Sequence, residues 1–408
     1  MRFVTHLESA IDGSIHSHHA LQTLHEGRPF WVRYDLRAIC DSISKASLLQ
    51  RVQGMYRYRE LLPVGDEIPT VSLGETISPL IPAAKLGRKF GVPDLLIKDE
   101  SQLPTGSFKS RGLSMAISMA QHFGVRRVAI PTAGNAGGAA ALYAARAGIE
   151  AYVFMPTDTP IVNQFEAQLA GAHVFLVDGL INDCGKIVKE GKANEFWFDL
   201  STLKEPYRIE GKKTMGLELA EQLQWRLPNV ILYPTGGGTG LIGMWKAFNE
   251  LKDIGWLESD TLPRMVAVQS IGCAPIAVAW DQGMRFAKPF PNARTIASGI
   301  RVPEAVGDFL ILDALRESHG KAIAVAEDRL LDWQRMAVGC EGISICPETA
   351  ACVGALEELA KDGWIQPHEK VVIFNTGAAQ KYLPVQGIQL PRVDSFESVL
   401  RWHQSHTK

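Results

Sequence analysis

Lys109 lies in the stretch PTGSFKSRG, Pro104 to Gly112, between the strand-like LLIKDE and a helical pattern. A lysine amine becomes a nucleophile when desolvation or a neighbouring cation lowers its pKa. Phe108 would partly exclude water, and Arg111 would either supply the cation or serve a structural role. Taken alone, the stretch also reads as a solvated lysine in a helix's first turn. Three other strand ends weigh against that. In PTAGNAGGAAALYAARAG, Pro131 to Gly148, a strand gives way through Thr132, Ala133, Gly134 and Asn135 to a helix, whose N-terminal N–H groups favour an anion such as a carboxylate. Asn135 either caps that helix or turns its amide to a ligand. In YPTGGGTGLIGMWKAF, Gly236, Gly237, Gly238, Thr239 and Gly240 form a strand-to-helix turn that can wrap a phosphate with backbone N–H groups. It has neither the G-K-[ST] of a P-loop nor the G-x-G-x-x-G spacing of a dinucleotide site, which favours a single phosphate monoester. In VVIFNTGAAQKY, Thr376 ends a strand with a hydroxyl that can donate or accept.

An amine nucleophile, a carboxylate cradle, a phosphate cup and a hydroxyl together form the set that pyridoxal 5'-phosphate needs. The elements that must position them follow a regular alternation. DLLIKD, RRVAIPT, IEAYVFMP, AHVFLVD, NEFWFDL, NVILYPTGG, RMVAVQS and KVVIFNTG read as strands. Between them, residues 111–123, 135–148, 160–171 and 181–191 read as helices. Asn135 and Asp183 mark starts, and Gly124, Gly148 and Gly171 mark stops. The expected fold is α/β, with two open, mainly parallel sheets flanked by helices and ligands at the carboxyl ends of the strands. The expected domains are a small unit at 113–204 and a large cofactor-binding unit from 1–112 and 205–408. RPFWVRYDLRAI reads as a strand and turn, and the Pro- and Gly-dense stretch from Met55 to Ile81 as an irregular wrap.

Bulk properties narrow the function classes. The chain has 408 residues, 46% apolar and 21% charged, with a formal net charge of -2. That is the balance of a globular protein of more than one domain, without the basic blocks of a nucleic-acid binder. No apolar signal-peptide core and no membrane-length apolar run is visible, so the expectation is a cytoplasmic protein with no membrane partner. Six scattered cysteines with no C-x-x-C pair read as reduced thiols. The run His16, Ser17, His18, His19 has no paired ligand cluster, so no metal site is assigned.

The blocks VRYDL, MYRYRELLPVGDEIPTVSLGET-x-SPL, KDESQLPTGSFKSRG, GNAGGAAALYAARAG, EPYRIEGKKT and PTGGGTGLIGMWKAF run in this order from Val32 to the glycine turn. They resemble the pyridoxal-phosphate enzymes of fold type II, the tryptophan-synthase-β superfamily, and within it the threonine synthase family. The resemblance extends to Lys381. It implies that Lys109 carries the cofactor and that Asn135 meets its 3'-oxygen. It likewise implies that Gly236, Gly237, Gly238, Thr239 and Gly240 hold its phosphate and that Thr376 meets the ring nitrogen. It implies substrate contacts at Thr105, Ser107, Thr132, Gly134 and Arg208, with Lys212 or Lys213 as further cations. Relatives of this fold type are often homodimers.

The implied reaction converts O-phospho-L-homoserine and water to L-threonine and phosphate. The alternative is a threonine or serine dehydratase, or a related amino-acid ammonia-lyase, with the same cofactor and lysine but no substrate phosphate site. A non-enzymatic relative would be marked by loss of Lys109, which is present. Four departures from the family pattern stand out. Ser110 replaces an aspartate, the early C-x-x-C-G element is absent, Glu205 replaces the asparagine of N-P-x-R, and GISICPETAAC replaces the usual E-P-A-S-A-A form. Glu205 would repel a substrate phosphate unless it points away or pairs with a lysine such as Lys204.

Overall fold

The computed structural model describes residues 1–382. Its largest sheet has six strands, in the order Lys321–Val325, Arg264–Ser270, Val230–Pro234, Val371–Asn375, Leu95–Asp99, Leu80–Pro82. Every neighbouring pair is parallel except the last, where Leu80–Pro82 runs antiparallel to Leu95–Asp99. A second, four-stranded parallel sheet is ordered His173–Val177, Glu150–Pro156, Arg127–Pro131, Phe198–Asp199. The expected parallel α/β architecture is therefore present. The central strands VILYP and VVIFN are buried at every position, because helices cover both faces of the sheet.

Three readings of the sequence change. The NEFWFDL strand shrinks to Phe198–Asp199. Glu195 sits at a positive φ of 55° and the Trp197 indole donates to the Val188 carbonyl, so the preceding residues stay with the adjoining helix rather than the sheet. Asp183 does not begin its helix. Leu180 occupies the cap, and Asp183 sits in the first turn, accepting from the Leu180 N–H at 2.9 Å. The turn expected after RPFWVRY is a helix, Leu36–Ser42, because the Asp35 side chain accepts from Ala38 N–H and caps it. The N-terminal region also contains a three-stranded antiparallel sheet (Ile15–His16, Val4–Ser9, Phe30–Tyr34) and a 3-10 segment, Met55–Leu61. Among the described residues, no helix is long and apolar enough to cross a membrane.

Small residues set the distance between the layers beside the site. In the Ala136–Ala147 helix, a Cβ added at Gly137 would lie 2.6 Å from Met155 Cε and 2.7 Å from Thr132 Cγ2. Gly148 ends that helix in the left-handed region at φ 68°, a conformation that glycine adopts without a Cβ penalty.

Candidate functional site

Four strand-to-helix connections and one irregular loop converge on one open-mouthed cavity. Lys109, Thr132, Gly134, Asn135, Gly236, Gly237, Gly238, Thr239, Gly240 and Thr376 all line it. They come from both parallel sheets, so residues far apart in sequence meet only because the strands' carboxyl ends face one another. Thr105, Ser107 and Arg208 are not among the lining residues. Thr105 is buried with its hydroxyl 2.8 Å from that of Ser110, and the Ser107 hydroxyl is buried with no partner among the described residues.

Lys109 is the first residue of the helix Lys109–His122. The N–H of Phe108 donates to the Thr376 carbonyl at 3.0 Å, which ties the lysine loop to the Thr376 loop. The Lys109 ammonium lies 4.3 Å from the Phe108 ring centroid. Desolvation lowers its pKa to about 7; Arg208 adds to the shift and Glu348 opposes it. The assisting cation is thus Arg208 and not Arg111. Arg111 is fully buried in an ion-pair network, with Nε 2.6 Å from Glu100 Oε2 and Nη1 2.7 Å from Glu218 Oε2. Those carboxylates neutralise it, and Lys98 pairs with Glu218 from the other side at 2.6 Å.

The other cations divide. Lys213 lies away from the site, 2.8 Å from both Glu210 and Glu250. Lys212 stays close: its Nζ sits 3.9 Å over the Phe108 ring and donates to the Phe108 carbonyl. Burial, followed by Lys109 and Arg208, depresses the Lys212 pKa well below that of an ordinary lysine. Arg208 is buried, with Nη1 donating to the Leu200 carbonyl at 2.6 Å and Nε unpartnered among the described residues.

Glu205 does not pair with Lys204, which instead lies 3.5 Å from Asp199. Glu205 turns to its own chain, accepting from the N–H groups of Tyr207 at 2.7 Å and Arg208 at 3.1 Å. It thereby satisfies donors at the start of the helix Tyr207–Gln222. Burial raises its pKa to about 7.

The Asn135 side chain makes no capping hydrogen bond. Its Nδ2 donates to the Tyr382 hydroxyl at 3.2 Å, while Oδ1 is buried and unpartnered among the described residues. The Gly134 N–H is taken by the Thr132 hydroxyl at 3.1 Å, and that hydroxyl donates back to the Gly134 carbonyl at 2.9 Å. The glycine turn is tight. Gly238 has φ 71° and begins the helix Thr239–Asp253. A Cβ at Gly236 would lie 2.9 Å from the Gly299 carbonyl, and one at Gly240 would overlap the Tyr233 hydroxyl.

Several lining residues escaped the sequence reading: the loop Ser298–Val302, Glu348 and Tyr382. Glu348 Oε1 accepts from the Gly299 N–H at 2.7 Å, and burial raises the carboxyl's pKa. The segment GISICPETAAC, which contains Glu348, was visible as a departure, but nothing in it marked a cavity wall.

The donor set suits a phosphorylated pyridine aldehyde. An unpartnered buried amide oxygen, a lysine of lowered pKa and a glycine turn pressed too close for side chains all face one space. Residues 71–377 match the model of the family described as pyridoxal-phosphate dependent enzyme. The chain belongs to that family. The threonine synthase of Methanocaldococcus jannaschii is 33% identical over 349 residues, covering 85% of this chain and 85% of that protein. The threonine synthase of Methanosarcina acetivorans is 34% identical over 347 residues, covering 85% of this chain and 84% of that one. Among solved structures, maize serine racemase superposes with a TM-score of 0.62 at 21% identity, covering 81% of this chain and 93% of its own. The processed form of threonine deaminase isoform 2 from Solanum lycopersicum gives 0.62 at 22%, covering 85% and 95%. At that identity the likeness speaks to the fold. The protein is therefore a pyridoxal-phosphate enzyme of fold type II that acts on a small amino-acid substrate.

Proposed function

We propose that the protein is a threonine synthase, releasing phosphate from O-phospho-L-homoserine and adding water to give L-threonine. The single observation that carries this is the identity of about one third to threonine synthases over most of both chains. In this reading Lys109 binds the cofactor's carbonyl carbon, and Gly236 to Gly240 hold its phosphate through backbone N–H groups. Asn135 meets its 3'-oxygen and Thr376 its ring nitrogen. Thr132 and Gly134, which line the cavity, flank the place of the substrate carboxylate, and Thr105, Ser107 and Arg208, outside the lining, remain candidate substrate contacts. When bound, the cofactor supplies an electron sink for charge that develops at the substrate's carbon chain.

The chain's own residues do the rest. The Lys109 amine, released when the substrate amine takes its place, moves protons among Cα, Cβ and Cγ. A pKa of about 7 suits it to both acceptance and return of a proton. The Cγ–O bond breaks with loss of phosphate, water adds at Cβ and a proton arrives at Cγ. Thr376 offers a neutral hydroxyl and no carboxylate, so it supplies no charge to hold a proton on a ring nitrogen.

Glu205 had been the residue favouring an ammonia-lyase. Its carboxylate is engaged by two backbone N–H groups, so it no longer argues against a phosphorylated substrate. The proposal extends to a cytoplasmic homodimer, supported by the habit of fold type II relatives and testable by light scattering. The activity test is phosphate release measured beside 2-oxo-acid production, with phosphohomoserine, threonine and serine as substrates. Phosphate and threonine from phosphohomoserine alone support the reading. Deamination of serine or threonine with no phosphate release replaces it by an ammonia-lyase.

A further inference from the structure

Arg301 is the only guanidinium lining the cavity among the described residues, and with Lys109 one of two cations there. It follows the 3-10 turn Ser298–Ile300. That loop is fixed on two sides. The Gly299 N–H is held by Glu348, and the Gly299 carbonyl packs so closely on Gly236 that a Cβ there would lie 2.9 Å away. The Arg301 backbone therefore has little freedom, and its side chain is almost covered, 10% exposed.

Its present partner is Asp158. Nη1 donates to Asp158 Oδ2 at 2.6 Å and Nη2 to Oδ1 at 2.8 Å, the two-pronged geometry by which a guanidinium grips a carboxylate or a phosphate. Asp158 comes from the opposite side of the cleft, just past the strand Glu150–Pro156 of the four-stranded sheet. Its side chain is 58% exposed, so it can turn into water at little cost. A buried fork held by an exposed, replaceable carboxylate at the cavity's edge is a preformed anion receptor. Arg208, by contrast, stands outside the lining and spends its Nη1 on the Leu200 carbonyl.

We propose that Arg301 is the specificity residue that takes the substrate's phosphate, with Asp158 as the resident carboxylate that the phosphate displaces. This rests on the threonine synthase reading for the identity of the substrate, but the receptor itself can be tested without turnover. Binding is a ligand exchange: the guanidinium keeps its charge and Asp158 leaves for solvent. The same two donors then meet phosphate oxygens.

The test uses cofactor-loaded enzyme and inorganic phosphate as the probe, with affinity followed by calorimetry and cofactor content measured in parallel. Arg301→Gln is expected to weaken phosphate binding about ten- to a hundredfold, the loss of a charge-assisted two-pronged contact. Arg301→Lys keeps the charge and loses the fork, and is expected to fall between wild type and Arg301→Gln. Asp158→Asn removes the competitor and is expected to tighten binding about two- to fivefold. Wild-type affinity in Arg301→Gln overturns the inference. So does cofactor loss with unchanged phosphate affinity in the loaded fraction, since Arg301 would then serve the cofactor's own phosphate. Weaker binding in Asp158→Asn overturns the displacement. If Arg301→Gln does not fold, Arg301→Lys and Asp158→Asn decide between the same outcomes. If wild type releases no phosphate from phosphohomoserine, the threonine synthase reading fails, while the calorimetry still decides whether Arg301 is an anion receptor.

Discussion

The lowered pKa of Lys109 has a consequence that can be measured before any cofactor is added. With a pKa of about 7, half of the Lys109 amine is unprotonated at neutral pH; at the ordinary lysine value of 10.5, only about one amine in three thousand would be. At pH 7, Lys109 in cofactor-free protein should therefore react with a small aldehyde on the order of a thousandfold faster than the neutral fraction of a surface lysine allows. The sign follows from the causes: burial disfavours the ammonium, Arg208 repels it and Glu348 attracts it. Reactivity should rise with pH through about 7 and level off, whereas exposed lysines continue to gain up to about 10. Arg208→Gln should move the midpoint up and Glu348→Gln should move it down. The assay is reductive methylation with formaldehyde across pH, read peptide by peptide by mass spectrometry, so that Lys109 is separated from every other lysine. A midpoint for Lys109 equal to that of surface lysines would refute the reasoning, as would a downward move in Arg208→Gln.

Three further outcomes are expected. Gly237→Ala should weaken cofactor retention; because its Cβ would meet Thr202 Cγ2 at 2.8 Å, adding Thr202→Ser tells the two causes apart. Persistent loss in the double variant marks crowding of the phosphate, while full recovery of equilibrium cofactor affinity reduces the glycine to a packing role. Arg111→Met leaves Glu100 and Glu218 facing each other without their guanidinium, and urea unfolding should register a loss of roughly 3–5 kcal/mol; a loss under about 1 kcal/mol would contradict a structural role for the network. Thr376→Asp should change the spectrum of the loaded enzyme and its product distribution, since a carboxylate would hold a proton on the ring nitrogen; an unaltered spectrum would remove Thr376 from the ring.

The lysine, asparagine, glycine and threonine loops were legible because each joins a buried apolar strand to a helix, and the chemistry of such junctions can be read locally. Of the two readings of Arg111, the assisting cation fails and the structural role stands, for the opposite reason. Two positions from Lys109 in sequence, it points into a network completed by Glu218, more than a hundred residues away, which local reading cannot supply. The Ser298–Val302 loop and Glu348 join the cavity only through the packing of the six-stranded sheet and its helices. In SGIRVP, only the glycine between two small or apolar residues hinted at a close approach. Glu205 was singled out as acidic near a substrate phosphate, yet its role depends on two backbone N–H groups just ahead in the chain, a capping geometry hidden by the proline between them. The Asp35 cap, by contrast, is legible as a polar residue before an apolar-spaced stretch, a pattern that also fits a turn.

Which bond breaks and where water goes decide the reaction most directly. Phosphohomoserine should be converted by the cofactor-loaded enzyme in water enriched in heavy oxygen, with both products analysed by mass spectrometry. Cleavage between Cγ and the bridging oxygen, followed by addition of water at Cβ, places one heavy oxygen in the hydroxyl of threonine and none in the phosphate. Heavy oxygen in the phosphate with homoserine as the co-product, or a 2-oxo acid in place of threonine, would contradict it.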